Sequence, residues 1–140
     1  MNAAGSNALS AAEHAIALLL AQARNIPQAH SSLVEGRWER SRFGGVEVTG
    51  KTLGVLGFGR IGQMVAERAQ GLGMRVVAYD PFVAEARYRE LGVDKAPAPE
   101  DLYRVSDFIS LHLASTAETR GFVGREAFAA MKPGARVINA

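Results

Sequence analysis

Apolar residues recur near the start of the chain at helical spacing. Ile16, Leu19, Leu20 and Ala23 share one side of an alanine-rich stretch. This predicts a helix over Ser10 to Arg24, opened by a Ser10-x-x-Glu13 capping box and ended before Pro27. A second short helical stretch is expected over Gln28 to Glu35, stopped by Gly36. Gly44, Gly45 and Gly50 mark loop or strand-edge backbone around Val46 and Val48.

From Lys51 onward the pattern changes to short apolar runs alternating with amphipathic ones. Strands are predicted at Thr52–Leu56, Arg75–Tyr79, Asp107–His112 and Ala135–Asn139, with a short edge strand at Val93–Ala96. Helices are predicted from about Arg60 to Leu72, Val83 to Leu91 and Arg125 to Met131, with a helical turn opened by Pro99 and running toward Val105. Strands of this length alternating with helices imply right-handed βαβ units and a parallel sheet covered on both faces. The expected class is α/β, doubly wound and of Rossmann type.

Composition narrows the field. At 140 residues, 48% hydrophobic and 21% charged, the chain matches a globular domain rather than a disordered or fibrous one. It has no Cys, which excludes disulfides, thiolate metal sites and Cys nucleophiles. Sixteen basic against fourteen acidic residues leave +2, too little to imply a polyanionic partner. The longest apolar run, Ala15 to Ala21, is too short for a membrane span and lacks signal-peptide flanks, so a cytoplasmic protein is expected, with no membrane partner. Arg37, Arg40 and Arg42 surround Trp38; a solvated connector with a partly buried Trp is favoured there over a nucleic-acid contact.

The candidate chemistry lies in Gly57-Phe58-Gly59-Arg60-Ile61-Gly62, a G-x-G-x-x-G pattern placed directly between a predicted strand and a predicted helix. Gly57 permits the tight turn, Gly59 lets backbone approach a pyrophosphate, and Gly62 lets helix pack on strand. Unpaired N–H groups at the helix start, aided by the helix dipole, suit a phosphate. Asp80 ends the second strand, where a carboxylate accepts from ribose hydroxyls and repels a 2′-phosphate, favouring NAD over NADP. Two blander readings stand beside these: a glycine-rich turn with no ligand, and an Asp80 that only caps the turn before Pro81. Arg60 either lies over the pyrophosphate or is an exposed first-turn residue.

These residues, with Ala78-Tyr79-Asp80-Pro81, Ser6-Asn7, Ser10-Ala11-Ala12-Glu13-His14, Ser106 to Leu113, and Lys132-Pro133-Gly134 leading to Asn139-Ala140, resemble the NAD-binding domain of the D-isomer-specific 2-hydroxyacid dehydrogenases. Within that family the likeness runs furthest, through Met1-Asn2 and Leu9 to Glu13, to members acting on 3-phosphoglycerate. The resemblance implies pyrophosphate contacts at Arg60 and Ile61 and a ribose contact at Asp80. It also implies adenine contacts at His112 and Leu113, mostly through backbone, and places Ala140 near the nicotinamide ribose. It implies a homodimer through the Ser10–Arg24 helix, whose Ala- and Leu-rich face a small domain cannot cover alone.

On this reading, residues 1–50 form a dimerisation helix and connector, and residues 51–140 a nucleotide-binding core incomplete at its C-terminal end. The family's catalytic Arg, Glu and His would follow Ala140, so no catalytic residue is assigned here; the 140 residues are expected to hold NAD without turning over a 2-hydroxy acid. The sequence departs from the family at Ala3, where a Thr is usual, and at Ala4, Ala114 and Ala117, where prolines are common. An alternative of another class is an NAD-sensing module like the co-repressors of the same fold. Glu13 and His14 are adjacent on a helix and cannot face each other, His30 is expected at the surface, and no cluster has metal-ligand spacing. Thr116 and Thr119 either touch cofactor or cap a turn.

Overall fold

The computed structural model describes residues 6–140. Five parallel strands carry the chain: β1 (Thr52–Leu56), β2 (Arg75–Tyr79), β3 (Asp94–Lys95), β4 (Phe108–Leu111) and β5 (Arg136–Asn139). Their order across the sheet is β3-β2-β1-β4-β5. Six helices accompany them: α1 (Ser6–Ala23), α2 (Ile26–Val34), α3 (Arg60–Gly71), α4 (Glu85–Glu90), α5 (Pro99–Val105) and α6 (Arg125–Ala130). The chain runs outward from β1 to β3, then returns to the other side of β1 with β4. A reversal of this kind opens a crevice at the carboxyl ends of β1 and β4.

Alternation along the strands sorts the core into two layers. Leu53 and Val55 of β1, Val76 and Ala78 of β2, and Phe108 of β4 meet Ala12, Ala15 and Leu19 of α1, Val65 and Ala69 of α3, and Tyr88 of α4. Leu56, Val77 and Ile109 meet Leu102 and Tyr103 of α5 and Ala127 of α6 on the other face. Both faces are thus covered, as the continuous apolar strands required. Gly54 admits this layering, since a Cβ there would fall 2.6 Å from Leu102 Cδ2.

Some expectations are corrected at element ends. α1 starts at Ser6, so Ser10 lies inside the helix and the Ser10–Glu13 pair is no capping box. Pro27 does not only punctuate: it sits in the first turn of α2, where its missing N–H costs nothing. Of the two readings open around Val46 and Val48, loop rather than strand edge is what forms. Trp38 is 78% exposed rather than partly buried. Around it, Arg37 pairs with Glu35 and Glu39, and Arg42 pairs with Glu39. Ala3 and Ala4 lie outside the described residues. No helix among the described residues is long and apolar enough to cross a membrane.

Candidate cofactor site

Because the strands are parallel and in register, their ends deliver four residues to one edge. Asp80 follows β2, Gly57 follows β1, His112 follows β4 and Ala140 follows β5. At ordinary strand spacing this row spans about 14 Å. All four were singled out in the sequence, and the sheet alone lines them up.

At the centre of the row the chain turns sharply from β1 into α3. Gly57 takes φ 92°, and a Cβ on it would fall 2.6 Å from the His112 carbonyl oxygen. Gly62 is buried against the Gly57 carbonyl and Val55, again without room for a side chain. These two glycines therefore serve packing. Gly59 differs: nothing lies within 4 Å of the position its Cβ would take. It caps α3 with no side-chain bond to the helix start, so the first-turn N–H groups of Arg60 and Ile61 face an uncapped opening. An open glycine before an uncapped helix fits a diphosphate. Arg60 is exposed beside it.

The two loop amides ahead of Gly59 are already used. Gly57 N–H donates to the Tyr79 carbonyl at 2.9 Å, and Phe58 N–H donates to Asp80 Oδ2 at 2.9 Å. The other oxygen of Asp80 accepts the Phe82 N–H at 2.9 Å. The capping role considered for Asp80 is thus real, and it leaves capacity over: a carboxylate has about four acceptor positions, of which these two bonds use two. Sequence reasoning missed the Asp80–Phe58 bond, which ties the acid to the phosphate turn across 22 residues.

On the other side of β1, Ile61, His112, Leu113 and Ala140 line one cleft of about 450 Å³. Asp80 and Arg60 do not line it. Ala11 from α1 and the loop residues Thr119, Arg120 and Phe122 are also among its walls. The sequence carried no signal for Ala11, because only the packing of α1 on α3 and β5 brings it there. His112 N–H donates to the Leu56 carbonyl at 2.7 Å, and its Nε2 lies 2.8 Å from Ser110 Oγ. Burial holds its pKa down at about 4, so the ring is neutral at physiological pH. Thr116 and Thr119 bond to one another, and Thr119 Oγ1 donates to the Ala114 carbonyl, closing a turn. Glu13, His14 and His30 are exposed. No group of three metal-ligating side chains occurs among the described residues.

The family model for the NAD-binding domain of D-isomer-specific 2-hydroxyacid dehydrogenases matches residues 16–140. The chain belongs to this family. It is 53% identical over its whole length to D-3-phosphoglycerate dehydrogenase of Mycobacterium tuberculosis and 51% identical to that of Archaeoglobus fulgidus, covering 26% of each. The chain therefore spans about a quarter of the length of these curated relatives. Among solved structures, D-lactate dehydrogenase from Escherichia coli superposes with a TM-score of 0.86 at 34% identity, over 94% of this chain and 41% of that one. NAD-dependent formate dehydrogenase from Staphylococcus aureus, in complex with NAD, superposes with a TM-score of 0.84 at 34% identity, over 96% and 40%. NAD is the cofactor of this dehydrogenase domain. These relatives are dehydrogenases, and the co-repressor reading gains no support from them.

Proposed function

We propose that Gly59, Arg60 and Ile61 receive the NAD diphosphate on their backbone N–H groups, while Asp80 takes the adenosine ribose through its two remaining acceptor positions. His112 and Leu113 then flank the adenine, and Ala140 lies toward the nicotinamide ribose. Gly57 and Gly62 contribute by letting the turn form. The observation that carries this reading is the open, uncapped start of α3 standing beside a carboxylate fixed to the same loop. Residues 51–140 act as the nucleotide-binding unit, and residues 1–50 as connector and dimer element.

For the whole protein we propose an NAD-dependent oxidoreductase acting on the CH–OH group of a small 2-hydroxy acid, with 3-phosphoglycerate favoured by the identity to phosphoglycerate dehydrogenases. When bound, the nicotinamide supplies the hydride acceptor; the residues described here bind and orient the dinucleotide. Exposed Leu9, Leu18, Ile26, Leu33, Val34 and Trp38 support a homodimer built on α1, α2 and the loop after them. A cytoplasmic location completes the proposal. The full-length protein is tested by NADH fluorescence titration, by turnover on 3-phosphoglycerate, and by sedimentation. Saturable NADH binding, turnover and a dimer are expected. Absent NADH binding, turnover only on another 2-hydroxy acid, and a monomer at micromolar concentration would each overturn the corresponding claim.

A further inference from the structure

Phe58 sits inside the glycine turn, yet its side chain is fully buried and packs against Tyr88 of α4. Its ring stacks on Tyr88 with centroids 4.6 Å apart and planes 27° from parallel. Tyr88 is 1% exposed and donates its hydroxyl to the Asp80 carbonyl at 3.2 Å. Asp80 in turn accepts the Phe58 N–H on its carboxylate. Three residues thus form a closed circuit of one ring stack and two hydrogen bonds. Lys95 Nζ lies 5.4 Å from the Tyr88 ring centroid, a cation–π contact from β3. Burial and the nearby Asp80 charge push the Tyr88 pKa up to about 12, so the hydroxyl keeps the proton it donates.

A second tie runs parallel to the first. Gln63 of α3 donates Nε2 to the Phe58 carbonyl at 2.9 Å, and its Oε1 accepts from Arg87 Nε of α4 at 2.9 Å. Both peptide groups of Phe58 are therefore held by side chains, and α4 holds the turn at two points. Pro81 and Phe82, which follow Asp80, are exposed. Without the Tyr88 hydroxyl, the Asp80 main chain would lose its anchor to α4.

We propose that Tyr88 is a positioning residue for the adenosine half of the dinucleotide, locking the ribose acid and the phosphate turn into one unit and thereby setting the preference for an unphosphorylated ribose. This rests on the NAD reading and deepens it, because Tyr88 acts through Phe58 and Asp80 and is too deeply buried to act as a direct ligand.

The test is Tyr88→Phe in the full-length protein, which keeps the stacked ring and removes only the bond to Asp80. Affinities for NADH, ADP-ribose and NADPH are measured by calorimetry beside the melting temperature. NADH and ADP-ribose are expected to weaken by about fivefold, the scale of one hydrogen bond; NADPH changes little, because its loss at the shared diphosphate is offset by relief of its 2′-phosphate from a firmly held carboxylate. The NADH-to-NADPH preference then falls by a similar factor, which a merely structural role would not produce. Unchanged affinities, or equal losses for NADH and NADPH, would overturn the proposal while leaving the dinucleotide site intact. Silence from the wild-type protein toward every ligand would overturn both.

Discussion

The two loops that meet at the centre of the sheet edge are built in opposite ways. The turn from β1 into α3 is enclosed: Gly57 and Phe58 are buried, β2, Asp80 and α3 supply hydrogen bonds to it, and Tyr88 of α4 stacks on the Phe58 ring. The connection from β4 to α6 leaves residues 114–118 exposed, and past Leu113 its hydrogen bonds run within the loop itself, among Ala114, Thr116, Thr119, Arg120 and Phe122. The first loop is organised by the fold before any ligand arrives. The second depends on short-range contacts, so a ligand that touched it would spend binding energy in ordering it. Changes in the first loop should therefore cost folding, and changes in the second mainly affinity.

The largest effect is expected where the two loops touch. Gly57→Ala combines an unfavourable φ with overlap on the His112 carbonyl, and should cost about 4 kcal/mol and abolish NADH binding. Thermal melting followed by NADH titration checks this; a variant with near wild-type melting and affinity would show that the close approach is not required.

The next effect is pH-dependent. Because burial depresses the His112 pKa to about 4, the unfolded chain takes up the proton first as pH falls from about 6.5. The stabilisation is complete above that pH and is lost on the way down to about 4, amounting to at most about 3 kcal/mol. Urea denaturation of wild type and His112→Gln at pH 7 and pH 4 measures it. The wild type should lose more stability than the variant; equal losses would contradict the burial argument.

Asp80→Ala sharpens the comparison from the floor side. It leaves the Phe58 and Phe82 amides without their acceptor, for a cost of about 2 kcal/mol, and should weaken NADH more than tenfold. Chemical denaturation and fluorescence titration read the two numbers separately. A loss of stability without a loss of affinity would reduce Asp80 to a cap.

The smallest effect belongs to the rim. Ala114→Pro restricts an exposed segment at a position whose N–H makes no hydrogen bond among the described residues, and should add about 0.5 kcal/mol and improve NADH affinity by a few-fold. A destabilised variant would mean that the rim backbone is already constrained.

The same contrast explains what could be read from the sequence. The placement of Gly57, Gly59, Gly62 and Asp80 was legible because it follows from local backbone sterics and from strand ends. The strands themselves were legible because two-sided burial makes them continuous apolar runs. What stayed hidden depends on distant partners. Nothing near Tyr88 in sequence announces its stack on Phe58, thirty residues earlier, and Ala11 joins the cleft only once α1 packs on α3. Ser10 misled for a related reason: the capping spacing is present, but the helix extends through it because Ala8 and Ala12 are both buried on the same face. Trp38 followed the usual burial of tryptophan, yet no part of the described chain covers it.

Backbone amides at the start of α3 and the Asp80 carboxylate just after β2 are proposed to share one adenosine diphosphate. Calorimetric titration of the folded protein with ADP-ribose and, separately, with nicotinamide mononucleotide measures this directly. ADP-ribose should retain most of the NADH binding free energy and the mononucleotide little of it. Equal affinities for the two halves, or no heat from ADP-ribose at millimolar concentration, would contradict it.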